Sequence, residues 1–387
     1  MATPLIPILP TLSTFSLVTN HSQTIVPYFS SFTSNLHFLQ PGSESFSPLA
    51  FYHNTNPAIS AIIFSQVLAV WAFVLSTITG NWSVVDRLWA LLPAFYVAHF
   101  TYFAHSLSLP AARLDTLLTL VLIWSTRLTY HFFRRGGFQF RYEDYRWAIA
   151  RRDIVPQKWK QVLFNFVFVS WFQNVLLLLL STPAYIFLVI AALPEGVVTP
   201  REVHTFGTVD LIFSRALMLA LIAEFFADQQ QWGFQQAKKA FESSGKNIVP
   251  EGWNREDLER GFCVVGLWSF SRHPNFVAEQ AFWIIMYQWC CFGMYPYPPL
   301  YNFLFHFGAN MSCDVTVTDT LYNYAILGVF SLCVVFHYST NLTEKITASK
   351  YPEYSEYRRL VGKFLPRFNA FWDSSSQAED RETKKTR

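Results

Sequence analysis

The sequence has 387 residues, of which 52% are hydrophobic, 18% aromatic and 14% charged, with a formal net charge of +3. A soluble globular chain carries roughly 25% charged residues, and one of this length could not hide 39 Phe, 18 Tyr and 13 Trp in its interior, so neither a water-soluble enzyme nor a disordered chain fits. The five cysteines, Cys263, Cys290, Cys291, Cys313 and Cys333, have neither paired spacing nor the density of a disulfide scaffold, and no metal site is expected.

Residues 1–58 are rich in Ser, Thr, Pro and Phe and lack the basic start of a secretory signal, so they are expected as a loosely structured lumenal arm or as one short membrane-touching segment. Apolar stretches of the roughly 20 residues needed to cross a bilayer then follow at about 59–80, 84–105, 111–132, 163–193, 206–227, 276–294 and 321–337. The fourth reads as one tilted span or as a tight pair broken at Pro183. The expected fold is therefore an all-α, polytopic transmembrane helical bundle of about seven spans, six to eight in range, over residues 59–367, with a polar cytosolic tail at 368–387.

No Lys or Arg precedes Arg87, and 24 of the 29 fall in three blocks, between residues 131 and 163, between 229 and 274, and after 337. Basic loops stay cytosolic. Seven spans put all three blocks on one side, with the N-terminus lumenal and the tail cytosolic. Lys384 and Lys385, close to the C-terminus, read either as an endoplasmic-reticulum retrieval signal or as a plain solvated tail.

An ionisable side chain inside a span is costly unless it is paired or faces a polar cavity. Asp86, Asp115, Asp210, Glu224, Asp228 and Glu279 qualify, although Asp115 and Asp210 lie near span ends and are expected to be solvated there. Glu224 and Asp228 share a helical face by their i, i+4 spacing, as do Arg127 and His131. Such pairs either hold helices together or line a polar pocket near the cytosolic span ends; their collective placement favours the pocket.

The densest constellation is GLWSFSRHPNFVAEQAF at 266–282. Arg272 and His273 offer cationic donors before a helix that Pro274 is suited to start, and Asn275 and Glu279 share the entering face, an arrangement suited to phosphate. The earlier loop, Arg134, Arg135, Gly136, Gly137 and then Arg141 to Trp147, mixes guanidiniums, carboxylates and aromatics. Such a loop can clamp phosphates and stack an adenine, or it can fix topology and bind lipid headgroups; the topological reading is preferred for Arg134 and Arg135. No GxGxxG, GxxxxGK, HExxH or GxSxG motif occurs, so a nucleotide would not be held by a Rossmann unit.

These residues resemble the steroid 5-alpha-reductase C-terminal-domain family, in its branch of membrane proteins with a reductase-like core. The matching pieces are Asp86 with Trp89, WSTRLTYHFFRRGG with EDYRW at 124–147, Glu224 with Asp228, GLWSFSRHPNFVAE at 266–279, and the tail residues Glu344, Lys345, Tyr351, Pro352, Tyr354, Tyr357 and Pro366. The resemblance covers about residues 60–367. It implies a cytosol-facing pocket for NADPH lined by Arg272, His273, Asn275 and Glu279 and closed by Tyr351 and Tyr354, with Arg127, Asp144 and Asp228 as further contributors. Phe276 stands where the family often has Tyr, which removes one hydroxyl.

The function implied is NADPH-dependent reduction of a carbon–carbon double bond in a sterol or other lipid that enters from the bilayer. Asp86, with Tyr130 as a partner, is the positional candidate for the catalytic proton donor; as an alternative, Tyr130 is an interfacial aromatic anchor. Two other functions stay open, an S-adenosylmethionine-dependent membrane methyltransferase using the same pocket and a non-catalytic lipid-binding protein. The chain is expected in the endoplasmic-reticulum membrane, with no nucleic-acid partner.

Overall fold

The computed structural model describes residues 8–42, 44–194, 197, 204–292 and 323–367. The expected loop 295–320, the end of the sixth span, the start of the seventh and the lysine-containing tail lie outside these. Among the described residues the secondary structure is helical, with a single parallel bridge between Ser271 and Gly362 and no strand. The chain divides into two compact units, one of Met1–Ala216 with Trp283–Leu332 and one of Leu217–Phe282 with Cys333–Arg387.

The first unit is built on four helices. Helix α1, Pro57–Thr79, starts on the Asn56 side chain, which accepts from the Ala58 amide, and ends at Gly80 in the left-handed conformation. Helices α2, Leu92–Ser106, and α3, Ala112–Arg134, pack on each other. Helix α4 is the 34-residue rod Lys158–Ala191, which α1, α2 and α3 all contact. Its apolar stretch is 89% buried, against 33% for α1, so α4 is the central element. It widens into π-helical turns at Asn165–Phe172, where the Asn165 carboxamide exchanges hydrogen bonds with Ser76 of α1 at 2.9 and 3.0 Å. The stretch is interrupted at Ser181, where Gln173–Leu180 ends and Thr182–Ala191 starts with Pro183 in its first turn, and by length and composition the whole is one candidate span.

The second expected span is broken. Residues Asp86–Trp89 form one short helix, and α2 begins only at Leu92 with Pro93 in its first turn. A proline has no amide hydrogen to bond the preceding turn, and the hydropathy of 84–105 conceals that break. By length and composition, three helices among the described residues are able to cross a membrane: α1, α4 and Ile326–Lys350.

The N-terminal arm, expected to be loose, is docked on this unit. Leu9, Leu12, Phe15 and Val18 are buried, Thr24 accepts from the Tyr185 hydroxyl at 2.6 Å, and Asn56 donates to the Ile8 carbonyl at 2.8 Å. Its Leu, Phe and Val side chains supply the packing face.

Asp210 is also placed differently from its expectation. It is fully buried and takes both Arg113 Nε (2.9 Å) and Nη2 (3.0 Å), together with the Gly207 amide (2.8 Å) and Trp289 Nε1 (2.9 Å). Asp115 keeps the solvated role expected of it and pairs with His105 at 2.7 Å.

The second unit takes the later part of α5, Thr208–Ser243, then α6, Arg255–Arg260, the start of α7, Pro274–Phe292, the end of α8, Ile326–Lys350, and α9, Tyr354–Leu360. Phe234, Phe241, Leu258, Cys263 and Trp268 make one apolar cluster. A second one, of Phe262, Val264, Tyr354, Tyr357 and Val361, fastens α9 to the segment that leads into α7.

Candidate functional site

The second unit assembles most of the residues singled out by the sequence. Helix α6 ends at Gly261, with φ of +85°. A Cβ there would fall on the Tyr351 ring, so only glycine allows the tail to close over this turn. Lys238 of α5 donates to the Gly261 carbonyl (3.0 Å) and to the Tyr351 hydroxyl (2.6 Å). The variant Gly261→Ala is expected to cost about 2–4 kcal/mol, from left-handed strain together with overpacking. Measured by unfolding midpoint, this loss should shrink in a Tyr351→Ala background; an equal loss in both backgrounds would assign it wholly to the backbone.

Past Gly261 the chain is held to α5 and α9. Gln230 accepts from the Leu267 amide (2.9 Å), Trp268 Nε1 donates to the Ala227 carbonyl (3.0 Å), and the Tyr357 hydroxyl donates to the Trp268 carbonyl (2.5 Å). The Arg272 amide then bonds the Gly362 carbonyl at 3.0 Å beside the Ser271–Gly362 bridge. Pro274 opens α7, where its missing amide hydrogen costs nothing.

Arg272, His273 and Glu344 form the buried centre, with 7%, 8% and 3% of their surfaces exposed. The guanidinium grips Glu344 through Nε (2.7 Å) and Nη2 (3.2 Å), and its Nη1 donates to the carbonyls of Arg358 (3.1 Å) and Val361. His273 Nε2 lies 3.1 Å from Glu344 Oε1, and Arg358 Nε lies 3.5 Å from Glu344 Oε2. Burial pushes the His273 imidazole below its ordinary value, against the pull of Glu344, which favours the neutral ring. A neutral ring that donates Nε2–H to Glu344 presents Nδ1 as an acceptor. The imidazole stacks on Phe276, with centroids 5.5 Å apart.

Of the remaining candidates in this unit, Asn275 donates to Asp228 at 3.1 Å, which joins α7 to α5. Glu279 and Glu224 are buried on α7 and α5. Tyr354 is buried, and burial raises its phenol well above the usual range. Asp228, Asn275, Arg272, His273, Tyr351 and Tyr354 are thus gathered in one unit, each held by a named packing or hydrogen-bond contact.

Asp86, Tyr130, Arg127 and Asp144 belong to the first unit. Asp86 accepts from Trp147 Nε1 at 2.9 Å. Asp144 caps the helix Tyr145–Ile149 and pairs with Arg146 at 2.8 Å; burial works to raise it, but the Arg146 hydrogen bonds and charge outweigh burial and hold it below its ordinary value. Arg127 is buried on α3. Tyr130 is 55% exposed, with the Arg134 guanidinium 5.4 Å over its ring, and no hydrogen bond joins it to Asp86 among the described residues.

Glu344 is the central residue that the motif reading did not assign. It lies 72 residues beyond Arg272, and no local spacing links them; its place beside the tail tyrosines was the one available signal. Arg358 and Lys238 had no sequence signal.

A family model described as "Protein of unknown function (DUF1295)" matches residues 72–291, more than half of the chain. The chain belongs to the DUF1295 family. An uncharacterized protein of Schizosaccharomyces pombe is 35% identical over 342 residues, 88% of each chain. No solved structure matches. The DUF1295 match takes in Asp86, Asp228, Arg272, His273 and Glu279 but stops short of Glu344 and Arg358, so the buried centre joins residues of the family region to residues beyond it.

Proposed function

We propose that this DUF1295 protein is a membrane-embedded, NADPH-dependent reductase of a carbon–carbon double bond in a sterol or other lipid, and that its second unit is the cofactor-binding part. The observation that carries this reading is the charge balance at the centre: one carboxylate, Glu344, serves two guanidiniums, Arg272 and Arg358, and Arg358 is half exposed. The half-exposed Arg358 guanidinium beside this centre suits a phosphate-bearing cofactor, whereas the sulfonium of S-adenosylmethionine would be held by carboxylates. The resemblance to the steroid 5-alpha-reductase C-terminal-domain family supports the same assignment.

In this reading Arg272 and His273 position the pocket. Arg272 holds the Arg358 and Val361 carbonyls, which leaves the Arg358 side chain to meet a phosphate. Asn275, Asp228, Glu279, Tyr351 and Tyr354 line and close the pocket. Bound NADPH would supply hydride to the β carbon of an enone. The chain's own part is to orient the lipid, exclude water and deliver a proton to the developing enolate. The protein is proposed to lie in the endoplasmic-reticulum membrane in about seven spans, with a lumenal N-terminus and a cytosolic C-terminus.

Thermal unfolding of the detergent-purified protein tests this. NADPH should raise the midpoint, and Arg358→Gln should remove most of that rise with little change in the midpoint of the free protein. A rise with S-adenosylmethionine alone would point to the methyltransferase reading, and no response to either would point to a non-catalytic lipid binder.

A further inference from the structure

The connection between α3 and α4 is held by more bonds than a connection needs. Arg87 donates to the carbonyls of Gln139 (3.0 Å) and Tyr142 (3.2 Å), Asn81 donates to Tyr142 (2.9 Å), and Glu143 accepts from the Trp82 amide (2.7 Å). Trp82, Trp147, Val155 and Val169 pack beneath it, with the Arg151 guanidinium 4.8 Å over the Trp82 ring. This frame turns large apolar side chains outward. Phe140 is 79% exposed, Phe133 67%, Trp159 65% and Tyr145 53%.

The charges here separate into two groups. Each carboxylate of the connection has its own arginine: Asp144 pairs with Arg146 (2.8 Å), Asp153 with Arg152 (2.6 Å), and Glu143 with Arg151. Arg135 and Arg141 are exposed and form no close ion pair with a carboxylate among the described residues, although the Arg135 charge helps to hold the Asp144 carboxyl down. A braced loop that offers two exposed guanidiniums between exposed aromatic rings is matched to a surface whose outer layer is anionic and whose deeper layer is apolar.

We propose that this loop is a docking platform for anionic phospholipid headgroups, with Arg135 and Arg141 on the headgroup charges and Phe133, Phe140, Tyr145 and Trp159 in the interfacial layer beside them. A nucleotide is the poorer fit, because the aromatic side chains project outward instead of enclosing a pocket. The proposal is independent of the reductase reading, since none of these six residues belongs to the proposed cofactor site.

The test uses the full-length protein, stripped of lipid in a neutral detergent and titrated with phosphatidylserine or phosphatidylcholine of identical chains while the unfolding midpoint is followed. Phosphatidylserine should stabilise at lower concentration, and the preference should fade as ionic strength rises. Each basic residue near an anionic surface strengthens binding about fivefold, so Arg135→Gln/Arg141→Gln should weaken the phosphatidylserine response about 30-fold and leave the lipid-free midpoint in place. Equal responses to the two lipids in the wild type would overturn the proposal even if the variant failed to fold. So would a double variant that keeps the preference, or one whose only loss is in the response to NADPH.

Discussion

The variant Glu344→Ala is expected to destabilise the second unit by about 3–5 kcal/mol, because it leaves the Arg272 guanidinium buried without its counter-charge. His273 loses its acceptor in the same step, so the cost falls on the segment between the Ser271–Gly362 bridge and α9. Two measurements should agree: a lowered unfolding midpoint in detergent, and faster tryptic cleavage at Arg358 and Arg359 under native conditions. The double variant Arg272→Met/Glu344→Leu should recover part of the loss, since apolar replacement of a buried ion pair is often neutral whereas removal of one partner is not. If the single variant melted with the wild type, the cluster would not be holding the tail.

A loss of similar size, about 3–5 kcal/mol, is expected for Asp210→Ala in the first unit. This carboxylate takes two guanidinium nitrogens of Arg113, the Gly207 amide and the Trp289 indole. Its removal takes the partner from a buried cation, from the buried Trp289 indole and from the Gly207 amide together. Asp210→Asn keeps the shape and part of the hydrogen bonding and should fall between Ala and the wild type. Equal midpoints for Asp210→Asn and Asp210→Ala would show that charge alone matters there. The choice of site separates the two units: Asp210→Ala should leave the tryptic pattern at Arg358 and Arg359 unchanged below the melting point.

What could be read from the sequence followed from how local each signal is. Helix α1 announces itself by a charge-free, mostly apolar run between Asn56 and Gly80, and the start of α7 by Pro274, because both signals lie within a few residues of the boundary they mark. The interval 84–105 misleads for the opposite reason, since hydropathy averages over a window and cannot register the single amide that Pro93 lacks. At the candidate site, Arg272, His273, Asn275 and Glu279 are legible because they are crowded into one short motif. Glu344 and Arg358 are not, because nothing in their own neighbourhoods reports that a guanidinium 72 residues upstream needs a counter-charge. Asp210 was equally opaque: an acid near the end of an apolar run looks the same in sequence whether it meets water or Arg113.

The docked N-terminal arm bears on how the chain is made. Thr24 meets Tyr185 across 161 positions of sequence, and Asn56, which holds Ile8, also meets Tyr185 across 129. The arm emerges before its docking partner, the end of α4. At the usual 5–20 residues per second, translation from one to the other takes roughly 8–30 s. Through that interval Leu9, Leu12, Phe15 and Val18 have no final resting place. Their capture therefore closes the assembly of the first four helices, and a segment made before all of them settles only after the last of them has formed.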